Sequence, residues 1–311
     1  MPELHRLKAE RRSLHGHFSR DLPPALTIDP GDGVSFQCLE SGWGLEPHNG
    51  VDLHRREFEG RIPGPDDGHA LTGPVYIRGA QPGMALAVRI DALQLGDWGM
   101  TLAGGWPSAW NDKLGVSQTG RFHTWTFNTE AGIARNQHGH SVTLRPFMGV
   151  YGMPPAEPGI HSTIPPRATG GNIDCKELVP GSTLYLPIAV EGGLFSVGDG
   201  HAAQGDGEVS VTAIECPVEQ VDITFGLAPD MRISHPIANT PAGWITMGFH
   251  QDLDEAMLIA LESMLALLKR LHGLERVDAL ALASLTVDFR ITQVVNEQKG
   301  VHAVLPHGAI R

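Results

Sequence analysis

A Pro-Gly pair stands just ahead of a short, mostly apolar stretch three times in this chain, and no other feature limits its possible folds as much. Pro30-Gly31 precedes GVSFQC at 33–38, Pro82-Gly83 precedes ALAVRI at 85–90, and Pro180-Gly181 precedes TLYLPIAV at 183–190. Proline presets φ at the first corner of a turn and glycine accepts positive φ at the second, so each unit reads as a type II turn delivering a strand. Short strands strung on such turns predict a mainly β protein with a β-barrel or sandwich-like core. The run GPVYIR at 73–78 is expected to pair with 85–90 as a hairpin. With 38 glycines and 23 prolines among 311 residues the chain is turn-rich, and its 41% hydrophobic content suffices for a packed core.

The pattern changes in the last third. Leu253, Met257, Ala260, Leu261, Met264, Leu268 and Leu271 are spaced by three and four, which predicts an amphipathic helix over 253–271. Asp252 is its expected N-cap, Glu255 completes a capping box, and Gly273 marks the end. A second helical segment at 277–285 and a closing strand at 287–295 follow. The expected organisation is an N-terminal extension at 1–24, a mainly β domain at 25–215 that contains the active site, and an α/β C-terminal part at 216–311. Within the β domain, 95–170 is rich in Trp, Gly and Pro with little periodicity, and is expected to be a long loop region that walls a pocket.

Composition excludes several classes. The 23 basic against 35 acidic side chains give a net charge of −12, which leaves no broad cationic face, so neither nucleic acid nor membrane is an expected partner. Cys38, Cys175 and Cys216 lie far apart without a CxxC pair, which argues against a disulfide framework or a zinc ribbon. No secretory-type apolar run opens the chain and no stretch is long enough to span a bilayer, so a cytoplasmic location is expected.

Chemistry concentrates in two segments. In GDGHAAQGDGE at 198–208, glycines let the backbone bend so that Asp199 and His201 can converge on one cation. Carboxylate oxygen and imidazole nitrogen suit Zn²⁺, with a third protein ligand and a water completing a catalytic site. A solvated Asp-Gly turn or a Ca²⁺ site is the alternative. In PPRATGGNIDCKE at 165–177, Asn172 and Asp174 flank Ile173 and would share one side of an extended chain, as a common ligand or substrate requires. The Gly170-Gly171 pair permits close backbone approach. Cys175, Lys176 and Glu177 are adjacent and cannot all converge as a triad, so Cys175 is expected to be a small half-buried thiol. No GxSxG elbow, P-loop or GxGxxG-helix unit is present. His15, His17, His138 and His140 are expected at the solvated surface.

Taken together, TGPVYIRGAQPG at 72–83, PPRATGGNID at 165–174, GSTLYLP at 181–187, GDGHAAQGDGE at 198–208 and VDFRITQVVN at 287–296 resemble the acetamidase/formamidase family. The blocks keep the family's order; at His69 the chain departs from it, where an Asn-Pro pair is more usual. The resemblance implies a largely β fold with an α/β C-terminal part and hydrolysis of a short aliphatic amide, of the formamide or acetamide class, to carboxylate and ammonia by a metal-activated water. It also implies a divalent metal, Zn²⁺ first with Ca²⁺ as the alternative, and a homo-oligomer. On this resemblance Asp199, His201 and Asp174 are the metal ligands. Glu208 is a further ligand or the general base, a proton-transfer role that Asp174 shares, while Asn172 and Gly171 contact substrate. The alternatives are a noncatalytic metal-stabilised β-domain that binds small ligands, and a hydrolase of larger amides or cyclic imides whose pocket would differ in 95–170.

Overall fold

The computed structural model describes residues 2–48 and 55–311. A nine-stranded sheet runs in the order Leu4–Leu7, Gly33–Cys38, Val218–Ala228, Ala85–Leu95, Thr183–Pro187, Ile237–Thr240, Gly243–His250, Lys299–Leu305 and Asp288–Gln293. A second sheet runs Ser141–Thr143, Ile133–Asn136, Arg121–Asn128, Trp98–Ala103, Glu215–Cys216, Phe195–His201, Phe147–Gly152 and Gly170–Asn172, and Leu71–Ile77 joins it along Phe195–His201. Neither order closes on itself, so among the described residues the turns build a sandwich-like pair of sheets and no closed barrel.

All three Pro-Gly turns deliver strands of the nine-stranded sheet, and Gly31, Gly83 and Gly181 take φ values of 100°, 90° and 93°, as the second corner of a type II turn requires. Between the sheets, Phe195 meets Phe36 and Phe225 edge-on at centroid separations of 6.2 and 5.0 Å. All three rings are buried, and each contributes roughly 1.5–3 kcal/mol of transfer free energy.

Two expectations are corrected here. The segment at 73–78 does not fold back on 85–90: Leu71–Ile77 pairs with Phe195–His201 in the other sheet. By changing sheets, the chain buries Val75 and Ile77 on one side of the core and Val88 and Ile90 on the other, whereas a hairpin would have kept both strands in one layer. The 95–170 region, expected as loop, also holds a set of regular strands. Trp98–Ala103, Arg121–Asn128, Ile133–Asn136 and Ser141–Thr143 form an antiparallel meander. Its sequences, such as RFHTWTFN, are polar and half exposed, so ladder hydrogen bonds order a stretch that aliphatic periodicity does not mark.

Residues near the start are woven into the same layers. Leu4–Leu7 pairs in parallel with Gly33–Cys38, and Leu14–His15 pairs with Leu71 and Thr72. His15 and His17 are therefore buried, against expectation. His15 Nδ1 lies 2.7 Å from the His17 carbonyl oxygen and Nε2 lies 2.9 Å from Ser196 Oγ, and burial pushes its pKa down to about 4. His138 and His140 are exposed, as expected.

The helix Leu253–His272 starts at Asp252, whose side chain accepts from the Asp254 and Glu255 N–H groups, and stops at Gly273 with φ 68°. That cap contributes about 1 kcal/mol. The other half of the capping box is replaced, since the Asp252 N–H donates to His250 Nδ1 at 3.1 Å. Ala256, Ala260, Met264, Leu265 and Leu268 pack with Ala279 and Ala283 of the helix Arg276–Thr286 and with Val301, Ala303 and Leu305 of the sheet. Met257 and Leu271, assigned to the apolar face by spacing, are 40% and 39% exposed. Among the described residues no helix is long and apolar enough to cross a membrane.

Candidate metal centre

Phe195–His201 lies inside the second sheet and is buried along its whole length, which rules out the solvated-turn alternative for Asp199-Gly200-His201. Asp199, whose φ is 61°, bends the strand between Gly198 and Gly200, and His201 Nε2 lies 3.3 Å from Asp199 Oδ1. Cross-strand register puts Glu215 opposite His201, with Oε2 also 3.3 Å from Nε2. The Ala213 N–H donates to Glu215 Oε1 at 2.9 Å and the Ser41 hydroxyl to Oε2 at 3.1 Å.

Asp174 arrives from the neighbouring segment. The N–H groups of Ile173 and Asp174 both donate to the Gly149 carbonyl, at 2.9 and 3.2 Å. Gly149 must be bare: a Cβ there would lie 2.4 Å from Asp199 Oδ2, 2.8 Å from Asp174 Oδ1 and 2.8 Å from His201 Cε1. Glu208 sits on a loop tied to the Asp288–Gln293 strand, where the Gly207 N–H donates to the Thr292 carbonyl at 3.0 Å and the Val294 N–H to the Gly207 carbonyl at 3.2 Å. A 2.8 Å ion pair between Lys176 and Asp206 joins the Asp174 and Glu208 segments. Buried Glu177 anchors the first of these by accepting from Arg145 and, at 2.8 Å, from Arg290.

Asp174, Asp199 and Glu208 all have left-handed backbone, with φ of 54°, 61° and 44°. Aspartate tolerates this region better than most residues, yet each such residue costs on the order of 1 kcal/mol. Strain at three members of one cluster marks a site where geometry is held for a purpose. It also removes the extended-chain premise behind pairing Asn172 with Asp174, because the strand ends at Asn172. Asn172 is buried with an unpartnered Oδ1, and Gly171 lies beside it at φ 100°.

The electrostatics follow from crowding acids into a dry space. Burial pushes the Asp174 carboxyl well above the usual range, against the pull of His201 and with further upward pressure from Asp199 and Glu215. Burial and then the Asp174 charge raise Glu208 in the same way. Glu215 is pushed up to about 7, again by burial, with His201 opposing. For His201, burial favours the neutral ring, but Glu215 and Asp199 outweigh it and hold the pKa well above the ordinary value. Burial likewise opposes ionisation of Asp199, yet His201, followed by His69, keeps its carboxyl below the usual range. His69 itself is fixed by Thr163 Oγ1, 2.9 Å from its Nδ1. Without a cation, burial thus favours the protonated forms of Asp174 and Glu208, while Glu215 and Asp199 favour the charged imidazole of His201.

A cation would replace that arrangement. Asp174, Asp199 and His201 have ligand atoms within 4.8 Å of one another, and so do His201, Glu208 and Glu215. Both Asp174 oxygens and His201 Nδ1 are buried without a hydrogen-bond partner, which is costly unless something else satisfies them. Mixed carboxylate and imidazole donors suit Zn²⁺, whereas Ca²⁺ calls for six to eight oxygens. The cluster is thus able to hold a metal ion.

Sequence reasoning brought Asp174, Asp199, His201 and Glu208 together. It missed Glu215, which only strand register delivers, and Gly149, which carries no side chain to notice. It also missed Gln204, whose Nε2 donates to the Asp174 carbonyl at 2.9 Å. Glu208 and Gln204 border a 390 Å³ cleft walled by Trp125 and Val142 of the meander. A larger cleft of 730 Å³, around Leu93, Phe127 and Leu144, touches none of the cluster. Cys175 is fully buried, and burial pushes its thiol up to about 12, leaving no thiolate for nucleophilic attack.

Comparison with known proteins agrees with this architecture. The chain is 27% identical to the formamidase of Methylophilus methylotrophus over 280 residues, 73% of this chain and 67% of that protein. It is 26% identical to the acetamidase of Mycolicibacterium smegmatis over 255 residues, 63% of this chain and 61% of that one. The chain spans about 60% to 67% of the length of the curated relatives it matches. The crystal structure of an acetamidase from Yersinia enterocolitica superposes with a TM-score of 0.87 at 25% identity, covering 100% of this chain and 94% of that one. The Acetamidase/Formamidase family model matches residues 3–162 and 156–308, and with that match across nearly its whole length the chain belongs to the acetamidase/formamidase family.

Proposed function

We propose that the chain is a metal-dependent amidohydrolase that splits a small aliphatic amide, of the formamide or acetamide class, into carboxylate and ammonia. The observation that carries this reading is Asp174, a buried carboxylate with both oxygens unpartnered beside Asp199 and His201. In this reading Asp174, Asp199 and His201 hold the ion, with Zn²⁺ the best match to their donors. The ion, when bound, supplies Lewis-acid polarisation of the amide carbonyl and acidifies water.

The remaining work falls to the chain's own groups. Glu208 touches both the cluster and the cleft, so its carboxylate is the base that takes a proton from water and hands it to the departing nitrogen, with Asp174 beside it sharing the proton. Glu215, held by Ala213 and Ser41, orients the imidazole of His201. Asn172, with its free Oδ1, and Gly171 are the proposed contacts for the substrate's amide group. Family membership supports a homo-oligomeric assembly.

Elemental analysis paired with ammonia release from formamide, acetamide and propionamide tests the proposal. Asp199→Ala and His201→Ala are each expected to lose the ion and at least 100-fold in turnover. Metal-replete protein that releases no ammonia from any amide would leave a noncatalytic metal-stabilised β-domain instead. A His201→Ala protein with full metal content and near wild-type turnover would refute the ligand assignment.

A further inference from the structure

We infer that the preferred substrates carry an apolar acyl chain of about four or more carbons, seated in the cleft beside Glu208. This rests on the amide-hydrolysis reading above and departs from it only in acyl length, favouring chains longer than the formamide or acetamide class. Of the cluster, Glu208 is the member that borders the cleft, so an amide reaching Glu208 from solvent extends its chain into that space. Its volume is 390 Å³, room for about thirteen waters at roughly 30 Å³ each. Acetamide, with four heavy atoms, would fill only a small part of it.

The chemistry of the walls points the same way. Trp125, Val142, Ala203, Val209, Ala213 and Ile214 supply carbon surface. Among the polar wall groups Trp125, Thr101 and Thr212 are already bonded, whereas Gln204 keeps an unpartnered Oε1 at the Glu208 end. The Trp125 indole N–H donates to Thr101 Oγ1 at 3.1 Å, and the Thr101 hydroxyl donates to the Ala213 carbonyl at 2.8 Å. Thr212 Oγ1 accepts from the Leu102 N–H at 2.9 Å and donates back to the Leu102 carbonyl at 3.1 Å. These groups stiffen the wall and offer little to a polar ligand. Val142 and Val209 remain 37% and 72% exposed at its sides, where a covering apolar chain gains the most. The loop that carries Glu208 and Val209 continues through the β-branched Val211 at φ 83°, a conformation that costs energy and is kept where surroundings demand it.

Initial-rate kinetics on acetamide, propionamide, butyramide and pentanamide, whose carbonyls are similarly reactive, test this directly. kcat/KM is expected to rise about fourfold for each methylene buried, and Val142→Asp to cut the pentanamide-to-acetamide ratio at least tenfold. If acetamide is the best substrate and longer amides are inert, the inference falls while amide hydrolysis stands. If Val142→Asp and Val209→Asp change only the mass seen by light scattering and leave that ratio intact, the valines belong to a subunit contact and the inference falls. If metal-replete protein releases ammonia from no amide, both this inference and the amidase reading fail.

Discussion

Gly149→Ala should empty the candidate metal centre without replacing any ionisable group. The added Cβ would stand 2.4 Å from Asp199 Oδ2, about 1 Å short of the 3.4 Å at which ordinary contact begins. Asp199 has little freedom to retreat, because its φ is fixed at 61° and its other oxygen lies against His201. Asp174 and His201 are crowded by the same methyl, at 2.8 Å each. Metal sites tolerate errors of about 0.2 Å in ligand distance, so the forced displacement exceeds the tolerance several-fold. Metal affinity should fall at least ~100-fold, with ammonia release falling in proportion, while overpacking costs the metal-free protein only about 1–3 kcal/mol. Titration calorimetry gives the affinity, and urea unfolding of the metal-free proteins gives the stability. Gly226→Ala, whose Cβ would meet only Ala87 at 3.7 Å, serves as the control and should bind metal normally. A Gly149→Ala protein that binds metal and turns over like the wild type would refute the convergence of Asp174, Asp199 and His201 on a shared ion.

Stability should fall on acidification, through His15 and His302, whose pKa values burial lowers from 6.5 to about 4. Both rings are neutral in folded and unfolded states above pH 6.5, so their contribution is fully present there. Between 6.5 and 4 only the unfolded chain takes up the proton, and the loss approaches an order of 3 kcal/mol per ring. Urea midpoints of wild type and His302→Gln across that window check this, and parallel slopes would contradict it. Cys175→Ala should keep metal content and turnover within about twofold while losing roughly 1 kcal/mol of stability; a folded, metal-loaded but dead variant would restore a nucleophilic cysteine. Lys176→Met and Asp206→Asn should show a coupling of about 1 kcal/mol in a double-mutant cycle on kcat, and strict additivity would mean that the ion pair does not position Glu208.

What the sequence reveals of this fold is its local part. Pro82-Gly83 announces a turn through the chemistry of two adjacent residues, and Asp252 and Gly273 bracket a helix for the same reason. Asp199 and His201 were legible as candidate ligands because Gly198 and Gly200 beside them let the backbone bend and bring two nearby side chains together. Glu215 was not: it meets His201 only because Glu215–Cys216 lies beside Phe195–His201, a pairing with no local signature. Leu71–Ile77 misled because turn and strand signals specify extension but not which sheet receives it. His15 looked solvated among charged neighbours, yet a two-residue pairing with Leu71 and Thr72 buries it.

The strand order near the end of the chain bears on biosynthesis. Lys299–Leu305 lies between Gly243–His250 and Asp288–Gln293, although it is made after both. Until it emerges from the ribosome, Asp288–Gln293 has no edge to join. That late strand is also the one that grips the Glu208 loop through Thr292. In a nascent chain the Glu208 loop therefore lacks its Thr292 anchor until the last strand is made, and the Lys176–Asp206 pair ties it to the Asp174 segment before then.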